Sequence, residues 1–180
     1  MDLVTGIRER RSIRKFQDRP VDRDLICEIA DLAAYAPSWK NTQTARYLVV
    51  EDREKIRAIA EQGTMGFSFN AQTLSGAPAL VILTTVKGRC GYERDGSYST
   101  PKGDRWEMFD AGIAAQTFCL AAHEKGLGTV IMGIFDEEAI AKLLPIPEGQ
   151  QISALIPIGY PALTPPTPPR KTSEELVTFL

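Results

Sequence analysis

The run Arg10-Arg11-Ser12-Ile13-Arg14-Lys15-Phe16 places four cations and a hydroxyl within seven positions. Guanidinium forks and a serine hydroxyl hold phosphate oxygens through bidentate, charge-assisted hydrogen bonds, so a phosphate-bearing ligand is one reading of the run. A second reading needs no ligand. Leu3, Val4 and Ile7 follow Asp2, a candidate N-cap, at helical spacing, which sets the arginines in the last turn of a short helix where cations meet the negative dipole end. A nucleic-acid patch also begins this way. Against that third reading, 23 acidic residues outweigh 21 basic ones and leave a net charge of −2, so the positive charge is local.

Other residues with chemistry of their own are few. His123, the only histidine, stands beside Glu124 and Lys125 and reads as a helix-end residue before a general acid. Cys27, Cys90 and Cys119 are odd in number and far apart, without C-x-x-C spacing, so neither a disulfide framework nor a metal site is expected. The N-terminal residues lack the apolar stretch of a secretory signal, and the cytoplasm is the expected location.

These groups need a scaffold, and 180 residues suit a single domain, 1–180. The apolar stretch Phe109 to Ala122 is shorter than the roughly 20 residues of a membrane span, so no membrane association is expected. It reads as a buried central helix, opening near Trp106 behind Asp104 and closing at Gly126. Periodicity predicts a helix from Asp24 to Tyr35, one capped by Asp52 that carries Ile56, Ile59 and Ala60, and one capped by Asp136 that carries Ile140 and Leu143. Strands are expected at Ala45 to Glu51, Pro78 to Val86, Leu127 to Met132 and Gln151 to Gly159. No strand is followed by G-x-G-x-x-G, which disfavours a dinucleotide-binding fold and leaves α+β as the class. Lys87 to Gly103 reads as a mobile surface loop able to cap a site. After Gly159, Pro161, Pro165, Pro166, Pro168 and Pro169 enforce an extended path. Thr172 and Glu175 then form a capping box for a short helix whose Leu176, Val177 and Phe179 need a surface, such as another subunit.

Taken in order, RRSIRKF at 10–16, APSWKNTQ at 36–43, Phe69-Asn70, GLGTVIMG at 126–133, IGYP at 158–161 and PPR at 168–170 resemble the FMN-dependent nitroreductases over nearly the whole chain. The resemblance implies an α+β fold with a central, mostly antiparallel (mixed) sheet flanked by helices. It also implies a homodimer with an extended C-terminal tail (161–180) reaching across it. FMN would lie at the subunit interface, reduced by NADH or NADPH and reoxidised by a small-molecule acceptor such as a nitroaromatic or a quinone.

On that resemblance Arg10, Ser12 and Arg14 match the first FMN-contacting segment, Arg10 on the phosphate and Arg14 near the pyrimidine edge, with Arg11 on phosphate or ribityl. Pro37, Ser38 and Asn41 match an element that reaches the flavin held mainly by the partner, and Asn70 matches an asparagine at the flavin edge. Ile131, Met132 and Gly133 match the strand end facing flavin N5, and Arg170 the tail arginine that closes over the phosphate. By residue type alone Pro37-Ser38 is a helix stop and turn, Asn70 a loop residue, the 131–133 stretch a buried strand end, and Arg170 a solvated charge. The chain departs from the pattern at Thr44-Ala45, where many relatives have Pro and an aromatic, and at Pro168 and Thr73, where some carry a cation. Arg14 is then the main cation expected near the pyrimidine.

The flavin ring itself accepts the hydride, so no catalytic side chain is expected, only orientation, positive charge and an open ring face used in turn by donor and acceptor. Trp39, Phe67, Phe69, Tyr92, Tyr98 and Trp106 are candidates for stacking on substrate. Two alternatives stand beside the reductase. One is an FMN enzyme that destroys flavin, dehalogenates or dehydrogenates a metabolite; the other is a binding module using the basic N-terminus without redox chemistry.

Overall fold

The computed structural model describes residues 2–180. In chain order the elements are α1 (Leu3–Glu9), α2 (Arg23–Ala33), a 3-10 turn at Trp39–Asn41, β1 (Ala45–Val50), α3 (Arg53–Gln62) and α4 (Ser68–Ser75). They continue with β2 (Ala79–Val86), α5 (Arg105–Glu124), β3 (Gly128–Thr129), α6 (Glu137–Leu143), β4 (Gln150–Gly159) and α7 (Ser173–Leu176). The strands form one antiparallel sheet in the order β1-β2-β4-β3.

β2 and β4 lie at the centre with helices on both faces, which is why they read as near-continuous apolar runs. Val81 and Leu83 point to one face, against Ile29 of α2 and Phe118 of α5. Leu80 and Ile82 point to the other, against Ile56 and Ile59 of α3, Leu74 of α4 and Ile140 of α6. A register shift between Leu83 and Thr84 changes the parity of β4. Ala154, Ile156 and Ile158 therefore face α5, whereas Ile152 joins Leu155 on the opposite side. Each fully buried Ile or Leu contributes about 1.5–3 kcal/mol, so this two-faced core holds the sheet that everything else leans on.

The expected caps are present. Asp52 accepts the N–H groups of Glu54 and Lys55, and Asp136 that of Ala139. Gly126, at φ 76°, closes α5 with its own N–H on His123 O at 3.0 Å and the Leu127 N–H on Ala122 O at 2.8 Å. Asp104 makes no side-chain cap. α2 stops at Ala33, short of the expected Tyr35, because the Tyr35 and Ala36 N–H groups tighten onto Leu32 O and Ala33 O.

Three expectations need correction. The strand expected over Leu127 to Met132 is only Gly128–Thr129, and Met132 pairs separately with Leu155. The residues around Asn70 are a helix, α4, whose buried side chains are only Thr73 and Leu74, too few to give a stripe. Lys87 to Gly103 is a series of turns tethered to the body, more ordered than the bare surface loop expected. Cys90 is fully buried, Ser99 N–H bonds Gly91 O at 2.9 Å, Trp106 Nε1 bonds Thr100 Oγ1 at 2.8 Å, and Glu107 accepts the Gly88 N–H at 2.6 Å. In the tail, Glu175 Oε2 accepts the Thr172 N–H at 2.9 Å as the capping box requires, and every residue from 171 to 180 is exposed. No helix among the described residues is long and apolar enough to cross a membrane.

Candidate functional site

The arginine segment leaves α1 before it reaches the candidate residues. Only Arg8 occupies the last turn and Arg10 is the C-cap, so the helix-end reading fails for Arg11 and Arg14. From Ser12 the chain is extended and laid on the edge of β3. Ser12 bridges Thr129 in parallel, Ile13 donates to Thr129 O at 2.9 Å, and Gln17 donates to Tyr160 O at 2.9 Å. The sheet is therefore mixed at this edge. The period of two turns Ile13 into the core and Ser12 and Arg14 away from it. A Cβ on Gly128 would lie 2.6 Å from Ile13, so a glycine is what allows the strand to sit this close.

The tail then crosses back over the same strand. Arg11 Nη2 donates to Thr167 Oγ1, a contact between residues 156 positions apart. Arg10, Arg11, Ser12, Arg14 and Arg170 surround a cleft of about 290 Å³, with Pro165, Pro166 and Pro168 as the opposite wall. Among the described residues no acidic side chain lines it. Arg14 reaches Ser12 O at 3.4 Å, and Arg170 reaches Pro168 O at 3.2 Å and Pro169 O at 3.3 Å, carbonyls that leave the charges unneutralised. Guanidinium groups gathered without a counter-charge repel one another unless an anion joins them. The cleft therefore fits a phosphate by the chemistry of its donors.

Asn70 lies in the first turn of α4 and donates from Nδ2 to Ile134 O at 3.1 Å, fastening that helix beside the 131–133 stretch. Met132 is buried and exchanges hydrogen bonds with Leu155 at 2.8 and 3.1 Å, while Ile131 and Gly133 are exposed. A Cβ on Gly133 would meet nothing within 4 Å, so open space lies over this backbone. Thr73 is buried and its hydroxyl is returned to Phe69 O at 2.8 Å.

Pro37, Ser38 and Asn41 line a different part of the surface. Pro37 and Ser38 share a cavity with Phe109 and Asp110, not with the arginines. Lys40, Asn41 and Gln43 adopt φ values of 45°, 55° and 48°, a left-handed conformation that costs a side-chain-bearing residue of order 1–3 kcal/mol. Surrounding bonds hold the turn there. Ser38 Oγ accepts the Gln43 N–H at 3.0 Å, and Asp110 Oδ2 accepts both the Trp39 N–H at 2.7 Å and the Cys90 thiol at 3.0 Å. An exposed Lys40–Glu93 pair at 2.9 Å ties the turn to the 87–103 segment.

Sequence reasoning missed Glu107, Asp110 and the surroundings of His123. Glu107 is buried on α5, where burial raises its carboxyl above the usual range despite the Gly88 N–H. Burial, and next the Asp110 carboxylate, push the Cys90 thiol upward as well. A signal for Glu107 and Asp110 existed: two acids three residues apart, on or entering an apolar helix. His123 stands in the last turn of α5, as expected, and there lines a cavity with Arg10 and Thr129. Among the aromatics, Trp39, Trp106 and Phe109 form one cluster at 4.9 and 5.3 Å, Tyr92 pairs with Tyr98, and Phe67 and Phe69 stand beside Asn70.

A model of the nitroreductase family matches residues 7–160. A protein of Methanothermobacter thermautotrophicus, provisionally named NADH dehydrogenase/NAD(P)H nitroreductase, is 35% identical over 93% of this chain and 81% of its own length. An iodotyrosine deiodinase of Thermotoga neapolitana is 27% identical over 91% of this chain and 90% of its own. The crystal structure of a provisionally named nitroreductase from Desulfovibrio desulfuricans in complex with FMN superposes with a TM-score of 0.77 at 26% identity, covering 100% of this chain and 97% of that one.

Proposed function

Because this chain belongs to the nitroreductase family, we propose that it is an FMN-dependent oxidoreductase that takes a hydride from NADH or NADPH and reduces nitroaromatic, quinone or similar small acceptors. The observation that carries this reading is the acid-free cleft where Arg10, Arg11, Ser12, Arg14 and Arg170 meet. Arg10, Arg11 and Arg170 hold the FMN phosphate, Ser12 adds a hydroxyl, and Arg14 stands at the pyrimidine edge. Asn70 and the backbone of Ile131, Met132 and Gly133 hold the other edge, where the side-chain-free Gly133 leaves room for close approach. Bound there, FMN supplies the hydride-accepting atom and the electron relay. The chain's task is to fix the ring, keep a cation where reduction adds negative charge, and leave one face open. Donor and acceptor then use that face in turn, which is a ping-pong mechanism.

The same reading makes the protein a homodimer, with Pro37, Ser38 and Asn41 offered to the FMN of a second copy. Supporting this, Met108 and Phe109 on α5 are 51% and 58% exposed, and Phe109 and Ile113 line one cavity with Pro37 and Trp39. An apolar helix face beside a strained turn is what an interface carrying a site residue looks like. A second reading keeps FMN and makes dehalogenation the reaction, supported by the likeness to the Thermotoga deiodinase.

The visible spectrum of the purified protein and the mass of its heat-released ligand test the cofactor. Anaerobic reduction by NADH or NADPH, followed by addition of menadione, a nitrofuran or iodotyrosine, tests the acceptor. A colourless protein that takes up no FMN overturns the proposal, and turnover of iodotyrosine alone selects the second reading.

A further inference from the structure

His123 lies behind the arginine strand, on the side away from the cleft. Its Nε2 and the Nε of Arg10 are both buried without a hydrogen-bond partner among the described residues. Both residues line one cavity of about 50 Å³, together with Glu9, Arg11 and Thr129. Arg10 and Arg11 also wall the phosphate cleft, so these two residues border both spaces. An Arg Nε–H is only a donor and a neutral imidazole has one acceptor nitrogen, so the two orphaned atoms are complementary.

The charged groups facing His123 are Arg10 and Arg11 from the arginine strand, Glu9 from α1, and Glu124 on its own helix. Burial and then Arg10 hold the imidazole below its ordinary range, against the opposing pull of Glu9 and Glu124, so it is neutral at pH 7 and able to accept. Protonation turns Nε2 into a donor and sets an imidazolium against two guanidinium groups.

We propose that His123 is a positioning residue of the FMN phosphate site, its Nε2 accepting from a water held in the shared cavity that in turn accepts the Arg10 Nε–H, so that the two terminal nitrogens of Arg10 face the phosphate. The inference rests on the FMN reading above. Arg10 alone has several rotatable bonds, and the bridge to His123 removes that freedom before the cofactor arrives.

Release of FMN from the full-length holoprotein on dilution, followed by flavin fluorescence between pH 7.5 and 5.5, tests this. Wild type should loosen its hold on FMN as the pH falls. His123→Ala should bind about tenfold more weakly at pH 7.5, the loss of one hydrogen bond to a charged donor. His123→Gln supplies an acceptor that does not titrate, and should match wild type at pH 7.5 while keeping its affinity at pH 5.5. The ionisation of FMN itself affects all three proteins alike and cancels in their ratios. Riboflavin, which lacks the phosphate, should not distinguish His123→Ala from wild type. Equal affinities for wild type and His123→Ala, or identical pH profiles for wild type and His123→Gln, overturn the proposal. So does a wild type that gains affinity over His123→Gln as the pH falls, which would make His123 a direct phosphate cation. Wild type that binds no FMN at any pH fails the functional reading instead.

Discussion

Arg10 and Arg170 meet at one cleft from residues far apart in the chain, and neither is needed to fill the core. Arg10→Ala and Arg170→Ala should each weaken FMN binding by about 1.5–3 kcal/mol, the worth of a hydrogen bond to a charged group, with unchanged melting of the apoprotein. Calorimetric titration with FMN measures this. Arg14 is a different case, since reduction places negative charge at the pyrimidine edge it is assigned to. Arg14→Gln should lower the midpoint potential more than it weakens oxidised-FMN binding, and buried Thr73 offers no second cation to hide the loss. Equal midpoints in a potentiometric titration would move Arg14 to the phosphate or the surface. Glu107 sets a pH dependence of stability. Its carboxyl is raised by burial, so the folded state holds the proton more tightly than the unfolded chain. The stability this brings is present below the ordinary Glu range and is lost as the pH rises through the raised value. Urea melts should therefore show Glu107→Gln gaining on wild type between pH 4 and 8, and a constant difference would place Glu107 in a solvated environment. The arginines were legible because their type announces an anion wherever they are placed. Asp110 and His123 were not, since their roles depend on Trp39 and Arg10 passing close by, and spacing does not encode that neighbourhood.

Elements with a strong period or a chemical stop were readable from the residues: β2 and β4 as apolar runs, α3 and α6 from Asp52 and Asp136, α5 from Gly126. α4 was not, because it buries only Thr73 and Leu74, and its formation is decided by the tertiary neighbour it packs on, chiefly α3. β3 was overread for a related reason. Val130 and Met132 are apolar because they are buried, yet only Gly128 and Thr129 pair regularly with β4. That short edge has a larger duty than its length suggests, since the arginine strand is added to it. Gly128→Ala would put a methyl 2.6 Å from Ile13, an overpacking that costs about 1–3 kcal/mol and lifts Ser12 and its neighbours from their register. Weaker FMN binding is expected, with partial recovery in the Gly128→Ala/Ile13→Ala double variant, which restores the space. If the single variant binds FMN as wild type does, the strand yields without moving the arginines.

At the scale of the whole molecule, the arginine cleft and the Pro37-Ser38 turn line separate cavities of the chain. The proposed homodimer should appear by light scattering at twice the mass of the 19.8 kDa chain. Met108→Glu combined with Phe109→Glu should yield monomers that hold FMN poorly, because charges on the α5 face block association while the exposed positions leave the core intact. Monomers that bind FMN as well as the parent would show that one chain completes the site. The tail crossing that joins Arg11 to Thr167 also separates the loading of the cleft from the folding of the body. The sheet and its two cores end at Gly159 and Arg170 belongs to neither, so the apoprotein should fold without vitamin-derived cofactor and take it up afterwards. In a flavin-starved cell the product would be a folded, colourless reserve, ready to be charged when supply returns.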